Sequence, residues 1–180
     1  MMLYVICILI ALAVVLADFF TKAAVVANIP LGESVNLIDG VFRFTYIQNR
    51  GAAFGMLADA RWVFLILSTV AIVAIVGYVA WKRPQNKLLL VALSLIVGGG
   101  IGNMIDRVRL GYVVDFLDFC AFPSLWKWIF NVADAAACIG AGLLFLYLVL
   151  DMVRASKAEK AAKAASDAPE AGGTEKKDAE

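Results

Sequence analysis

Apolar residues run almost unbroken over four stretches of the chain, about Leu3–Val26, Trp62–Trp81, Leu88–Ile105 and Trp128–Val149. Each is close to the roughly 20 residues of helix that cross a bilayer core. Trp62 and Trp81 bracket the second stretch, the interfacial place that tryptophan favours. The first stretch has a lesser alternative, a cleaved secretory signal ending at Ala17, which is disfavoured because no Lys or Arg precedes it. Between the first and second stretches the pattern changes to period two. Ser34–Ile38 and Val41–Ile47 flank Asp39-Gly40, a pair that supplies the positive φ a tight hairpin requires. Phe42, Phe44 and Tyr46 alternate with Arg43, Thr45 and Ile47, which predicts an aromatic strand face suited to lying against lipid or substrate. Ala52–Ala60 is expected as a short interfacial helix. The predicted fold is therefore mainly α and polytopic: four transmembrane helices, a small external β-sheet and that short helix.

Charge sets the orientation and the domain boundary. Lys82-Arg83-Pro84-Gln85-Asn86-Lys87 joins the second and third spans with three positive charges and no acid, and Arg154, Lys157, Lys160 and Lys163 follow the fourth. Both places read as cytoplasmic by the positive-inside rule, which puts both termini there and faces Ala27–Arg61 and Asp106–Lys127 outward. Residues 1–154 are expected to form the membrane domain, with the β segment at about 31–60. Residues 155–180 are rich in Ala, Lys, Glu and Asp without an apolar stripe, the composition of a disordered cytoplasmic tail.

Composition removes whole classes of function. Of the 180 residues 63% are hydrophobic and 17% charged, against ~45–50% and ~25% in soluble domains. A net charge of +1 leaves no basic excess for a nucleic-acid partner. The chain has no histidine, so Ser-His-Asp and Cys-His catalysis and His-ligated metals are excluded. Cys7, Cys120 and Cys138 have no metal spacing and read as small hydrophobes. Catalysis is left to carboxylates, Ser/Thr, Lys or Tyr, with no metal and no cofactor expected.

The polar residues of the spans lie in one layer. Asp18 and Lys22, spaced i, i+4, fall near the outer end of the first span; Asn103, Asp106 and Arg107 close the third; Asn131 and Asp134 lie just inside the fourth. Ionisable groups are costly in a bilayer, so such a layer marks a site or a set of partners. Asp18 and Lys22 read first as a mutually neutralising pair. Asn-x-x-Asp occurs at Asn103/Asp106 and Asn131/Asp134, a spacing that lets each amide orient the acid of its own copy. Gly98, Gly99, Gly100 and Gly102 suit close helix packing, or else a groove for another helix. Arg107 and Arg109 read as charge partners of Asp106 and Asp115. Gly111–Phe116 carries Asp115 to the external interface, where it could meet a second carboxylate. Two close carboxylates share a proton: the ionised one takes a proton from water and the protonated one polarises a scissile carbonyl.

Five blocks then match a known family in order. Asp18-Phe19-Phe20-Thr21-Lys22, Gln48-Asn49-Arg50-Gly51-Ala52-Ala53-Phe54, Gly102-Asn103-Met104-Ile105-Asp106-Arg107, Val113-Val114-Asp115-Phe116 and Phe130-Asn131-Val132-Ala133-Asp134 resemble lipoprotein signal peptidase, or signal peptidase II, over about Met1–Arg154. The resemblance implies an aspartic endopeptidase of the bacterial inner membrane. Its substrates would be prolipoproteins, cut on the amino side of a diacylglyceryl-modified cysteine, and the cyclic peptide globomycin would inhibit it. It implies Asp115 and Asp134 as the catalytic pair, supported by Asp18, Lys22, Asn49, Gly51, Asn103, Asp106, Arg107, Asn131 and Ala133. The external sheet would be a cradle, with the short helix over the site. Phe19 stands where Gln is usual, and Ala135 where Ser or Thr is commoner. Two other classes compete: a proton-coupled transporter, whose sites usually lie near the midplane between repeats, and a non-catalytic membrane scaffold.

Overall fold

The computed structural model describes residues 2–51, 61–122 and 128–166, with side chains as far as residue 163. The order is α1 (Met2–Asn28), β1 (Ser34–Ile38), β2 (Phe42–Asn49), α2 (Arg61–Lys82), α3 (Lys87–Arg109), β3 (Val113–Phe119), β4 (Ile129–Phe130) and α4 (Val132–Ser166). All four helices are long and apolar enough to cross a membrane. The interfacial helix expected at Ala52–Ala60 lies outside the described residues.

By contact the chain divides into two compact units, Met1–Leu144 and Phe145–Glu180. As far as it is described, the second is the later part of α4, mostly apolar to Val153 and then rich in Ala and Lys. The helix runs past Arg154 to Ser166, so the boundary expected after residue 154 carries no break in secondary structure. Alanine and lysine are strong helix formers, so helix continues where the apolar run stops.

In the first unit, α3 is the axis. It carries nine of its residues buried, including Leu89, Leu90, Gly98, Gly99, Gly102 and Asp106. Asn86 caps it, accepting from the Leu89 backbone N–H at 3.1 Å. Glycines set how closely its neighbours approach. A Cβ on Gly98 would lie 2.9 Å from the Ala11 carbonyl of α1, and one on Gly99 would overlap the Ala133 carbonyl of α4. Gly100 faces Ile72 of α2. Of the two readings open for this glycine run, close helix packing accounts for these three contacts.

The sheet is antiparallel, in the order β1-β2-β3-β4. Its hairpin turns through Asp39, Gly40 and Val41, with Gly40 at φ 70° and Val41 N–H donating to Ile38 O at 3.0 Å. The register shifts between Asn36 and Ile38, so the turn is longer than Asp39-Gly40 alone suggests. β3 and β4 complete the sheet, which the sequence showed only as apolar segments. The fourth helix accordingly begins at Val132 and not at Trp128, because Ile129 and Phe130 pair with Asp118 and Leu117. A short apolar run does not distinguish a strand from a turn of helix.

One end of the bundle is closed by the α2–α3 loop, where Tyr4 Oη donates to Pro84 O at 3.1 Å and accepts from Gln85 Nε2 at 2.8 Å. The other end meets the sheet through a core of Val25 from α1, Ile29 just beyond its end, Tyr46 from β2, and Val114 and Phe116 from β3. The expected aromatic face of β2 is used here: Phe44 packs edge-on against Phe42 and Phe116. A second network stiffens the sheet. Asp118 accepts from Arg43 Nε at 2.6 Å and from Thr45 Oγ1 at 2.8 Å, across the β2–β3 register.

Candidate active site

The polar layer is assembled where the helices meet the sheet. Lys22 is its cation. Its Nζ lies 2.7 Å from Asp18 Oδ2 and 3.0 Å from Asp106 Oδ2, and donates to Asn103 Oδ1 at 3.1 Å. The i, i+4 pair forms as expected, but the lysine serves two acids and an amide. All three charges are buried, with Asp18 1% and Lys22 3% exposed. Charges so placed are tolerable only when each is paired and hydrogen-bonded. Asp18 Oδ1 accepts from the Ala133 backbone N–H at 2.9 Å, tying α1 to the first turn of α4. Gly102 makes room for this, since a Cβ there would stand 2.7 Å from Asp18 Oδ2. Asp106 Oδ2 accepts from Val114 N–H at 3.0 Å. Leu110 and Gly111 (φ 84°) end α3 in a turn that leads straight into β3, so Asp106 also fixes where that strand starts.

Asparagines join these supports to two further carboxylates. Asp115 on β3 is 1% exposed. It accepts from Asn131 Nδ2 at 2.6 Å and from Asn49 Nδ2 at 2.8 Å, while Asn49 Oδ1 accepts from Gly51 N–H at 3.0 Å. Asp134 Oδ1 accepts from Asn103 Nδ2 at 2.7 Å, and Asn131 Nδ2 donates to Asn103 Oδ1 at 3.0 Å. An unbroken chain thus runs Asp115–Asn131–Asn103–Asp134. Asn131 is also the N-cap of α4: its Oδ1 accepts from Asp134 N–H at 2.8 Å, and Asp134 Oδ2 accepts from Asn131 N–H at 3.3 Å. That reciprocal pair is a capping box with an aspartate in the third helical position, which gives Asn131-x-x-Asp134 a structural reason besides any chemical one.

The geometry corrects two sequence expectations. Neither asparagine amide donates to the acid three residues on in its own copy. Asn103 donates from α3 to Asp134 on α4, and Asn131 donates to Asp115 on β3. Asp134 lies in the first turn of α4, nearer the helix end than a fourth span beginning at Trp128 would put it. Arg107 and Arg109 also differ from expectation. Among the described residues neither makes an ion pair; Arg107 stacks on Phe64 and Arg109 on Phe19, the residue that replaces the usual Gln. Arg107 Nη1 bonds only its own helix, at Asn103 O. The carboxylates of Asp134, Asp115 and Asp106 are the charges near it. Sequence reasoning missed the backbone of Val114, whose N–H and carbonyl meet Asp106 and Asn131. No side-chain pattern could have signalled it.

Burial pushes the Asp115 carboxyl up to about 7, and the nearby charge of Asp134 adds to the rise. The amides of Asn49 and Asn131 and the charge of Lys22 oppose it without cancelling it. Asp134 is only half-buried, so the pair is open on its side.

A carboxyl that keeps its proton near neutral pH, beside a second carboxyl open to water, is what an aspartic peptidase requires. Here it sits where four helices long and apolar enough to cross a membrane meet a small sheet, an arrangement that suits a membrane aspartic peptidase. The family model described as signal peptidase (SPase) II matches residues 10–150, and the chain belongs to that family. The lipoprotein signal peptidase of Halalkalibacterium halodurans is 41% identical over 153 residues, which cover 85% of this chain and 97% of that protein. The lipoprotein signal peptidase of Bacillus subtilis is 42% identical over 149 residues, covering 83% and 96%. A solved structure described as a bacterial membrane enzyme determined by the in meso method superposes with a TM-score of 0.76 at 36% identity, covering 81% of this chain and 88% of that one.

Proposed function

We propose that this chain removes signal peptides from prolipoproteins, cutting on the amino side of a diacylglyceryl-modified cysteine, with Asp115 and Asp134 as the catalytic pair. The observation that carries the reading is the Asp115–Asn131–Asn103–Asp134 chain, which holds two carboxyls on a common pair of amides. The pair shares one proton. Asp115, pushed up to about 7, carries it and polarises the scissile carbonyl. Asp134, on the open side, takes a proton from the attacking water. When the C–N bond breaks, that proton passes to the leaving amine and the pair returns to its starting state. Asp18, Lys22 and Asp106 act at one remove: they fix α1, α3, α4 and β3 so that the amides and carboxyls stay in place. Asn49 and Gly51 hold Asp115 from the β2 side, and Arg107 adds positive charge near Asp134.

The basic α2–α3 loop and the basic residues after the fourth span support cytoplasmic termini, with the site at the outer face of the bacterial inner membrane. Labelling from outside, in a cysteine-free background, should then reach Asp39→Cys and spare Gln85→Cys; the reverse pattern would overturn this orientation. The activity is tested by incubating purified protein with a lipidated prolipoprotein, with and without globomycin. Cleavage just before the modified cysteine, blocked by globomycin, is expected. Cleavage elsewhere, or of the unlipidated precursor equally well, would contradict the reading.

A further inference from the structure

A second feature of the molecule is unrelated to the carboxylates. A cleft of about 650 Å³ opens between α1, α2 and α3 at the end closed by the α2–α3 loop, and its lining is almost wholly apolar. Cys7 and Ala11 of α1, Val76 and Ala80 of α2, and Leu93 of α3 form its walls, and Arg83 stands at its mouth. From Tyr4 to Ala11 on one wall, helix rise gives a length of roughly 10 Å. That is long enough for the upper part of an acyl chain lying along the helices.

Among the described residues Arg83 is the only charged one lining the cleft. No acid occurs between Arg61 and Asp106, and among the described residues Arg83 makes no ion pair. Its neighbour Lys82 is engaged on the face of Trp81, 4.2 Å from the ring centroid. Arg83 also has φ 47°, the sole non-glycine residue in the left-handed region among the described residues, and it precedes a proline. That conformation is unfavourable for an L-residue and is further disfavoured before proline. Glycine would end the helix there more cheaply, yet an arginine occupies the position and reaches the cleft. A planar guanidinium is suited to a phosphate, which it can meet with two parallel hydrogen bonds.

We infer that this cleft is a binding site for an anionic phospholipid, one acyl chain lying between α1 and α2 and the phosphate held by Arg83. The site lies at the opposite end of the bundle from the carboxylates and does not depend on their chemistry. The occupant is a lipid of the leaflet that meets the α2–α3 loop, where basic residues cluster and anionic headgroups are favoured.

Native mass spectrometry of the full-length protein, delipidated in detergent and titrated with phosphatidylglycerol or phosphatidylcholine, tests this. The wild-type chain should retain one phosphatidylglycerol under activation that strips phosphatidylcholine. Arg83→Gln should reduce the preference for phosphatidylglycerol at least fivefold. Ala80→Trp, which fills the cleft, should abolish retention of both lipids. Arg154→Gln, a basic residue elsewhere, should change nothing. Folding is checked by cleavage of lipidated substrate, which both cleft variants should retain. Equal retention of the two lipids by the wild-type chain would overturn the inference. So would an Arg83→Gln variant that keeps the preference, or an Arg154→Gln variant that loses it equally. If Ala80→Trp blocks substrate cleavage while lipid retention is unchanged, the cleft receives the substrate's helix, and the lipid assignment is wrong.

Discussion

Replacing Lys22 by Met removes the cation that pairs with two buried acids, Asp18 and Asp106. In the native chain its ammonium lies 2.7 Å from Asp18, 3.0 Å from Asp106 and 3.1 Å from Asn103 Oδ1. Methionine fills the same volume and leaves Asp18 with only the Ala133 N–H and Asp106 with only the Val114 N–H. Removing one partner of a buried ion pair costs ~3–5 kcal/mol, and for a chain of this length each kcal/mol is worth roughly 2–4 °C. The thermal midpoint of Lys22→Met in detergent should therefore fall by on the order of 10 °C. Adding Asp18→Asn and Asp106→Asn, which removes the orphaned charges, should recover most of that loss. Turnover should be reduced but measurable, because Lys22 is hydrogen-bonded to Asn103 and not to either carboxylate of the proposed catalytic pair. Its positive charge also holds the Asp115 carboxyl down, so its loss should move the alkaline limb of the pH–rate profile upward. A Lys22→Met protein with an unchanged midpoint would refute the buried-pair account. One with full stability and no turnover would place Lys22 in the chemistry itself.

The proton on Asp115 gives activity and stability the same sign. With its carboxyl raised from 3.8 to about 7, the folded state holds more protons than the unfolded state between those values. Stability should fall as pH rises through that window, by at most about 4 kcal/mol, and level off above it; an Asp115→Asn variant should lack this component in pH-dependent denaturation. The kcat/KM profile should likewise decline as pH rises through about 7, and a flat profile from 5 to 9 would count against a shared proton. Gly102→Ala sets a Cβ 2.7 Å from Asp18 Oδ2 and 3.0 Å from the Ala133 Cβ, so it should cost ~1–3 kcal/mol by overpacking. Gly100→Ala meets only the flexible end of Ile72 at 3.2 Å, and its midpoint should drop less; equal losses would show that Asp18 is not the sensitive contact.

Much of the fold was legible because its dominant signal is long apolar runs, which have few alternatives in a bilayer. All four spans were visible, as was the hairpin marked by Asp39-Gly40. The second half of the sheet was not. Val113–Phe119 carries apolar residues on both faces, with one aspartate on each, and Ile129–Phe130 is only two residues long, so period two is lost just where β3 is buried, and only pairing in space distinguishes them. The site was legible as residue types in a layer and, more sharply, as five ordered blocks. The wiring was not legible. That Asn103 serves Asp134 and Asn131 serves Asp115 depends on how closely α3 and α4 approach, which glycines permit but sequence spacing does not state. Arg109 on Phe19 shows the same point in reverse. Sequence proximity to acids suggested an ion pair, whereas the guanidinium lies on an aromatic ring 5.3 Å away.

The central claim is that Asp115 and Asp134 work as one pair, and it is tested by single-turnover cleavage of a lipidated prolipoprotein by Asp115→Asn, Asp134→Asn and the double variant. Each single change keeps the size of the side chain and removes its part in proton exchange. Each should lower the cleavage rate by at least a thousandfold, roughly 4 kcal/mol of barrier, while the thermal midpoint and globomycin binding persist. The double variant should be scarcely slower than either single one, since residues that act as a unit are not additive. Cleavage at the wild-type rate by Asp115→Asn or Asp134→Asn, in folded protein, would contradict the account.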